Sequence, residues 1–207
     1  MNISQSIANQ LRKPEGVLGR AIGCFMALAN RSLYKWTLNL LNIQSGDNVF
    51  EIGFGPGVGL EMVSRRTKEG LIAGADFSRV MFERACKKNA ARLKGGKMTL
   101  VLGDFCAFNF DPKTFHHAYA INVVYFWPRP VEIFAKIHRL LKDRGRLAIT
   151  CGDPESMQRH RLTRSQVFIP YSADTIQGMM REAGFSETTI FRKELRRGVF
   201  ICVIAEK

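Results

Sequence analysis

Four histidines and five cysteines are all that 207 residues offer a transition metal, and they do not cluster. Cys24, Cys86, Cys106, Cys151 and Cys202 are scattered, with no C-x-x-C pair and no histidine at ligand spacing, which excludes the common zinc patterns. Isolated thiols of this kind read as reduced, mostly core residues of a cytoplasmic protein, and no metal is expected. A bilayer-spanning run is also missing: Val17–Ala29, the most apolar early stretch, is too short and contains Arg20. Met1-Asn-Ile-Ser-Gln has no basic head ahead of a long apolar segment, so no signal peptide is expected. Without a Gly-Lys-Ser or Gly-Lys-Thr triplet there is no P-loop. No repeat, low-complexity linker or break in composition divides the chain, so one domain over residues 1–207 is expected.

Acids are scarce too. Eighteen stand against 31 basic residues, a net charge of +13 that attracts anions such as nucleic acid, lipid headgroups or acidic small molecules. The basic residues are spread from Arg12 and Lys13 to Arg196 and Arg197, with no appended RNA-binding module and no Lys-rich tail. They read first as a solvated surface and second as a nucleic-acid footprint. At 46% hydrophobic, the chain can bury one substantial core without disulfide staples.

What is present concentrates in Val49-Phe-Glu-Ile-Gly-Phe-Gly-Pro-Gly-Val-Gly-Leu-Glu61. A short β-branched and aromatic run predicts a buried strand with Glu51 near its end. Glycines at 53, 55, 57 and 59 follow, and then an amphipathic segment, so the unit is strand, turn, helix. Glycine lets a ligand approach the backbone closely above a strand end, where ligands bind in open parallel sheets. A dinucleotide G-x-G-x-x-G does not fit, because the third glycine would fall at Val58 or Leu60. Downstream, Leu71–Asp76 is a second apolar run ending in an acid, 25 residues after Glu51. That is the interval at which a carboxylate meets a ribose in nucleotide-binding units. Ser78 is a candidate N-cap for a helix through about Arg92. Further strands are predicted over Lys97–Leu102 and His117–Val124, then a helix carrying Val131, Ile133, Phe134, Ile137, Leu140 and Leu141, with Leu141–Ile149 leading into a fifth strand. A helix is predicted over Tyr171–Ala183, and strands Thr188–Leu195 and Val199–Ala205 as a hairpin.

The acid-x-Gly-x-Gly-x-Gly turn, the strand-end Asp76, Gly103-Asp104-Phe105 and Leu141-Lys-Asp-Arg-Gly145 occur in order. Together they resemble the motifs of the class I S-adenosylmethionine-dependent methyltransferases, nearest the small-molecule branch of ubiquinone and menaquinone methyltransferase type. The resemblance covers about Val49 to Lys207. It implies an α/β, Rossmann-like sandwich: a seven-stranded, mostly parallel sheet with an antiparallel C-terminal hairpin and N-terminal capping helices. It also implies S-adenosyl-L-methionine as cofactor, held by Glu51, Gly53, Gly55, Gly57, Asp76, Phe77, Met81, Gly103, Asp104, Phe105 and Asn122. Among these, Glu51 would face the methionyl amine, Asp76 the ribose and Asp104 the adenine amine. Asn122-Val-Val-Tyr125 has the outer residues of the Asn-Pro-Pro-Tyr motif of amino-group methyltransferases but neither proline, which argues against that chemistry.

Plainer alternatives remain for several of these residues. Asp76 would otherwise cap the helix at Ser78, Asp104 form a turn, and Phe77 and Met81 belong to the core. Residues 1–45 read as a loop (Leu11–Arg20) and two amphipathic helices (Ala21–Leu41) capping a core over 46–207. The polar, basic stretch 153–170 reads as a second cap. These would close a cavity for a small-molecule, hydrophobic or amphipathic acceptor, methylated by in-line displacement. An RNA methyltransferase or nucleic-acid-binding protein on the same fold is the alternative. Only Tyr125 and His160 stand out as candidate catalytic side chains; the plainer readings are a packing tyrosine and an exposed histidine. His116 and His117 fall before the fourth strand, at the end away from the cofactor.

Overall fold

The apolar run ahead of the glycines forms β1 (Val49–Ile52), with all four residues buried. A strand covered on both faces reads as such a continuous run. A computed structural model, which describes residues 3–207, sets β1 within a seven-stranded sheet. β2 (Ile72–Asp76), β3 (Met98–Leu102), β4 (Phe115–Ile121) and β5 (Leu141–Gly152) continue it in parallel. β6 (Glu187–Leu195) and β7 (Gly198–Glu206) form the antiparallel hairpin, with β7 antiparallel to β5 as well. The order is β3-β2-β1-β4-β5-β7-β6. The chain therefore winds outward from β1 to β3, then returns to β4 on the other side. This reversal lies between β1 and β4, and a crevice opens at such a switch point.

The pleat divides the core. Phe50 and Ile52 face one side, packed with residues of α7 (Pro130–Leu140) and α9 (Ala173–Glu182). Phe50 meets Phe105, Phe110 and Phe115 edge-on at 5.5, 4.8 and 5.1 Å. Val49 faces the other side with residues of α3 (Arg31–Leu41), α4 (Val58–Ser64) and α5 (Arg79–Lys88). A buried hydrogen bond between Thr37 and Thr150 (2.6 Å) ties α3 to β5.

Several boundaries differ from expectation. The N-terminal segment holds three helices, not a loop and two. α1 (Ile3–Arg12) ends before Pro14, and α2 (Gly16–Ala29) already occupies half of the stretch expected to be loop. The helix expected through Arg92 breaks at Asn89, giving α5 and then α6 (Ala90–Lys94). At the break the Asn89 amide donates to the Ala85 carbonyl at 2.9 Å and to the Gly57 carbonyl of the glycine turn at 3.2 Å. Within the expected cap, 154–159 is helical as α8 (Pro154–Arg159), capped by the Asp153 carboxylate. His116 and His117 lie inside β4, at its N-terminal end, not before it; His117 Nε2 is 3.0 Å from Asp47 Oδ2. Among the described residues no helix is long and apolar enough to cross a membrane.

Candidate functional site

The turn after β1 runs Gly53 to Gly57, with positive φ at Gly53 (71°), Gly55 (51°) and Gly57 (78°). Three left-handed residues in five fold the chain back sharply, which glycine does without strain. A Cβ on Gly55 would meet nothing within 4 Å, so the turn is open on that side. One on Gly57 would lie 2.8 Å from Ala85 Cα; this glycine's task is to let α5 approach.

Beside the turn stands Asp76, at the tip of β2. Its Oδ2 accepts from the Gly55 N–H and its Oδ1 from the Ser78 N–H, both at 2.8 Å. Burial pushes its carboxyl up to about 6, against the lowering effect of those two bonds. Ser78 is indeed an N-cap, accepting from the Met81 N–H. A cavity of about 380 Å³ opens here, bordered by Gly53, Asp76, Phe77, Gly103, Asp104 and Phe105. Six of the eleven residues expected around the cofactor are thus brought together. Asp104 also accepts from the Cys106 N–H at 2.9 Å, so it shapes the turn and borders the cavity at once. A narrower space of about 50 Å³ adjoins it, reached by Gly55, Met81 and Asn122 and sharing Gly53, Asp76 and Phe77.

Glu51 lies elsewhere. It shares the face of β1 that carries Val49, so its carboxylate points beneath the turn and is 1% exposed, bordering neither cavity. Tyr119, its register partner on β4, donates to its Oε2 at 2.7 Å, while Oε1 has no hydrogen-bond partner. A Cβ on Gly59 would sit 2.7 Å from either carboxylate oxygen and 2.5 Å from Tyr34 Cε1. Burial drives the carboxyl pKa well above the usual carboxylate range, although the Tyr119 and Tyr34 hydroxyls oppose the shift. In this structure Glu51 braces the turn from below, on the side of β1 that the strand's period of two assigns it.

A third cavity, about 300 Å³, lies between α1, α2, the 154–168 segment and the β6–β7 hairpin. Leu11, Phe25, Met26, Met157, Phe168 and Phe200 give it apolar walls. Tyr125 and His160 both border it. Tyr125 packs edge-on against Phe126 at 4.9 Å, and burial raises its hydroxyl pKa well above 10, so it stays protonated. His160 Nε2 donates to the Arg197 carbonyl at 2.9 Å, which leaves Nδ1 as the acceptor nitrogen. Trp127 packs edge-on against Phe134 on α7 at 5.6 Å.

Three features went unforeseen. Arg12, at the end of α1, borders both the larger and the narrower cofactor-side cavities. Arg197 borders the apolar cavity with Nη2 buried and unpartnered, its guanidinium 5.2 Å over the Phe200 ring. Asn122 has φ 57° and donates to Asn30 Oδ1 at 3.0 Å, coupling the strand tip to the α2–α3 junction. Asn122 itself was expected at the site, near the end of a predicted strand, but its link to Asn30 was not; nothing local marks the first two.

Residues 49–145 match the family model described as a methyltransferase domain. A Bacillus subtilis protein, the uncharacterized methyltransferase YdaC, is 29% identical over 188 residues, covering 89% of this chain and 97% of that protein. The 24-methylenesterol C-methyltransferase 2 of Arabidopsis thaliana is 24% identical over 114 residues, 55% of this chain and 31% of that protein. Haemonchus contortus phosphoethanolamine N-methyltransferase 2, solved with phosphomonomethylethanolamine and S-adenosylhomocysteine, superposes with a TM-score of 0.72 at 15% identity. That likeness covers 86% of this chain and 52% of the other, and shows the shared fold.

The residues at hand fit the cofactor such enzymes use. The open side of Gly55 admits a chain lying on the turn. Each Asp76 oxygen accepts only one backbone bond, which leaves acceptor capacity for two vicinal hydroxyls. The Phe77 and Phe105 side chains border a cavity large enough for a purine. The motif order, the sheet order and the methyltransferase-domain match over residues 49–145 together support a class I S-adenosylmethionine-dependent methyltransferase.

Proposed function

We propose that the protein methylates a small acceptor with an apolar body and one polar or anionic group, bound in the 300 Å³ cavity. One observation carries this reading: the ring of Phe126 borders all three cavities, so the apolar chamber adjoins the cofactor crevice directly. In this reading Gly53 and Gly55 cradle the methionyl portion, Asp76 accepts the ribose hydroxyls, and Asp104, Phe77 and Phe105 border the adenine.

Bound S-adenosylmethionine would supply a methyl group on a sulfonium, open to in-line displacement by an acceptor lone pair. The protein's share is positioning and exclusion of water. Phe25, Met26, Phe168 and Phe200 desolvate the acceptor's body. The buried, unpartnered Arg197 Nη2 favours an acceptor with an anionic or carbonyl oxygen, since a buried donor left without a partner is costly. Tyr125, with its hydroxyl protonated, orients the acceptor by a hydrogen bond. His160 Nδ1 is the basic nitrogen within reach of the same cavity.

The test uses methyl-tritiated S-adenosylmethionine with fractionated cell extract. Label recovered in the organic-extractable, small-molecule fraction supports the reading. Label confined to material destroyed by ribonuclease overturns it in favour of an RNA acceptor.

A further inference from the structure

α2 is turned inside out. Its buried positions are Gly19 and Gly23. Ile22 and Met26 are half-buried, but four other large apolar residues face solvent, Val17 at 82% exposed, Leu18 at 54%, Phe25 at 68% and Leu28 at 77%. At 100° per residue these four, with exposed Ala21, span about a third of the helix circumference as one face. The inward face is small where it meets α5: a Cβ on Gly23 would press on the Met81 thioether, so glycine lets the helix lie close to that side chain. Leu162 and Ile169 supply the remaining large exposed apolar residues among those described. Phe25 and Leu162 both border the apolar cavity, so this surface is continuous with its lining.

Its surroundings are cationic. Between residues 1 and 46 the only acid is Glu15, against Arg12, Lys13, Arg20, Arg31 and Lys35. Residues 156–170 contain Arg159, Arg161 and Arg164 and no acid. Arg20, Arg31, Arg159 and Arg161 are exposed and take part in no ion pair among the described residues. An exposed apolar face of this extent marks an interaction site.

We infer that this face docks on an anionic lipid bilayer, with α2 lying in the headgroup region and the apolar cavity opening toward the lipid. Charge selects the occupant. A second copy of the chain would set one surface of a +13 protein against its own like. A single-stranded nucleic acid stacks on aromatic faces, and α2 offers one phenylalanine among aliphatic residues. Anionic headgroups complement the arginines, and acyl chains receive Val17, Leu18, Phe25 and Leu28, as for interfacial helices. Entry of the acceptor from the bilayer rests on the proposed function; the docking itself does not.

The experiment is co-sedimentation of the full chain with vesicles of phosphatidylglycerol and phosphatidylcholine (about 1:1) or phosphatidylcholine alone, at about 0.15 M salt, near the physiological ionic strength. Val17→Ser/Leu28→Ser is the variant, since neither side chain borders the three cavities of the cofactor and acceptor sites. The wild type is expected to partition at least tenfold more strongly onto the anionic vesicles. The variant should lose at least tenfold while melting as the wild type does and binding S-adenosylhomocysteine unchanged. Vesicle binding absent in the wild type, or equal in wild type and variant, overturns the inference. So does a concentration-dependent dimer, in sedimentation equilibrium, that the same two substitutions abolish. Either result leaves the methyl-transfer reading standing, because S-adenosylhomocysteine binding and label transfer are read separately.

Discussion

The backbone N–H of Gly55 donates to Asp76 Oδ2 at 2.8 Å, joining the turn after β1 to the tip of β2. One carboxylate thereby fixes the glycine turn and borders the cofactor cavity. Asp76→Ala is expected to weaken S-adenosylhomocysteine at least ~10-fold by calorimetry, since hydrogen bonds to a charged group are worth ~1.5–3 kcal/mol. Unchanged affinity would remove Asp76 from the cofactor site.

The same carboxyl gives a pH signature. Burial holds it at about 6 in the folded protein, against an ordinary aspartate value of 3.8. If ribose hydroxyls need the ionised form, affinity should fall about tenfold from about pH 7 to about pH 5. Ligand-free stability should move the opposite way. A raised carboxyl pKa means the folded state takes up the proton first. Stability from this group therefore grows as pH falls from about 6 to about 4, by up to ~3 kcal/mol. The gap in melting temperature between wild type and Asp76→Asn, followed over about pH 4–7, should carry that trend, and a flat gap would contradict it.

The four glycines should separate by function. Gly59→Ala places a methyl 2.5 Å from Tyr34 and 2.7 Å from the Glu51 carboxylate, so it should destabilise the fold by at least ~2 kcal/mol in urea. Gly55→Ala meets open space and carries only the strain of φ 51°, about 1 kcal/mol. Its larger effect should be on S-adenosylhomocysteine affinity. The reverse ranking of the two in urea would show that the turn is built differently.

Tyr119→Phe removes the donor to Glu51 Oε2 and leaves a second carboxylate oxygen buried without a partner. The expected loss is ~1–3 kcal/mol, measured by chemical denaturation. A neutral result would mean that the Glu51 carboxyl is satisfied from elsewhere.

Much of this architecture could be read from residue order. Strand-sized apolar runs, the first three ending in an acid or glycine, predicted the parallel sheet because buried strands need continuous apolar sequence. The crevice followed from where Asp76 and Gly103 stand at their strand ends. Glu51 could not be placed that way, because its side depends on the pleat and on Tyr34 and Tyr119, which arrive from α3 and β4. Arg12 and Arg197 are separated from the turn by whole elements, and only tertiary folding brings them to the cavities. The bond from Asn89 to Gly57, 32 residues earlier, was likewise invisible to local reading.

Phe126 stands where three chambers meet. A partition wall shared by two rooms cannot be moved for one tenant alone. Any replacement that widens the acceptor's room redraws the edge of the nucleoside's, so selectivity and cofactor retention should drift together when this position varies. Variants that change one and spare the other are better sought at Phe200 or Met157, which border only the apolar chamber.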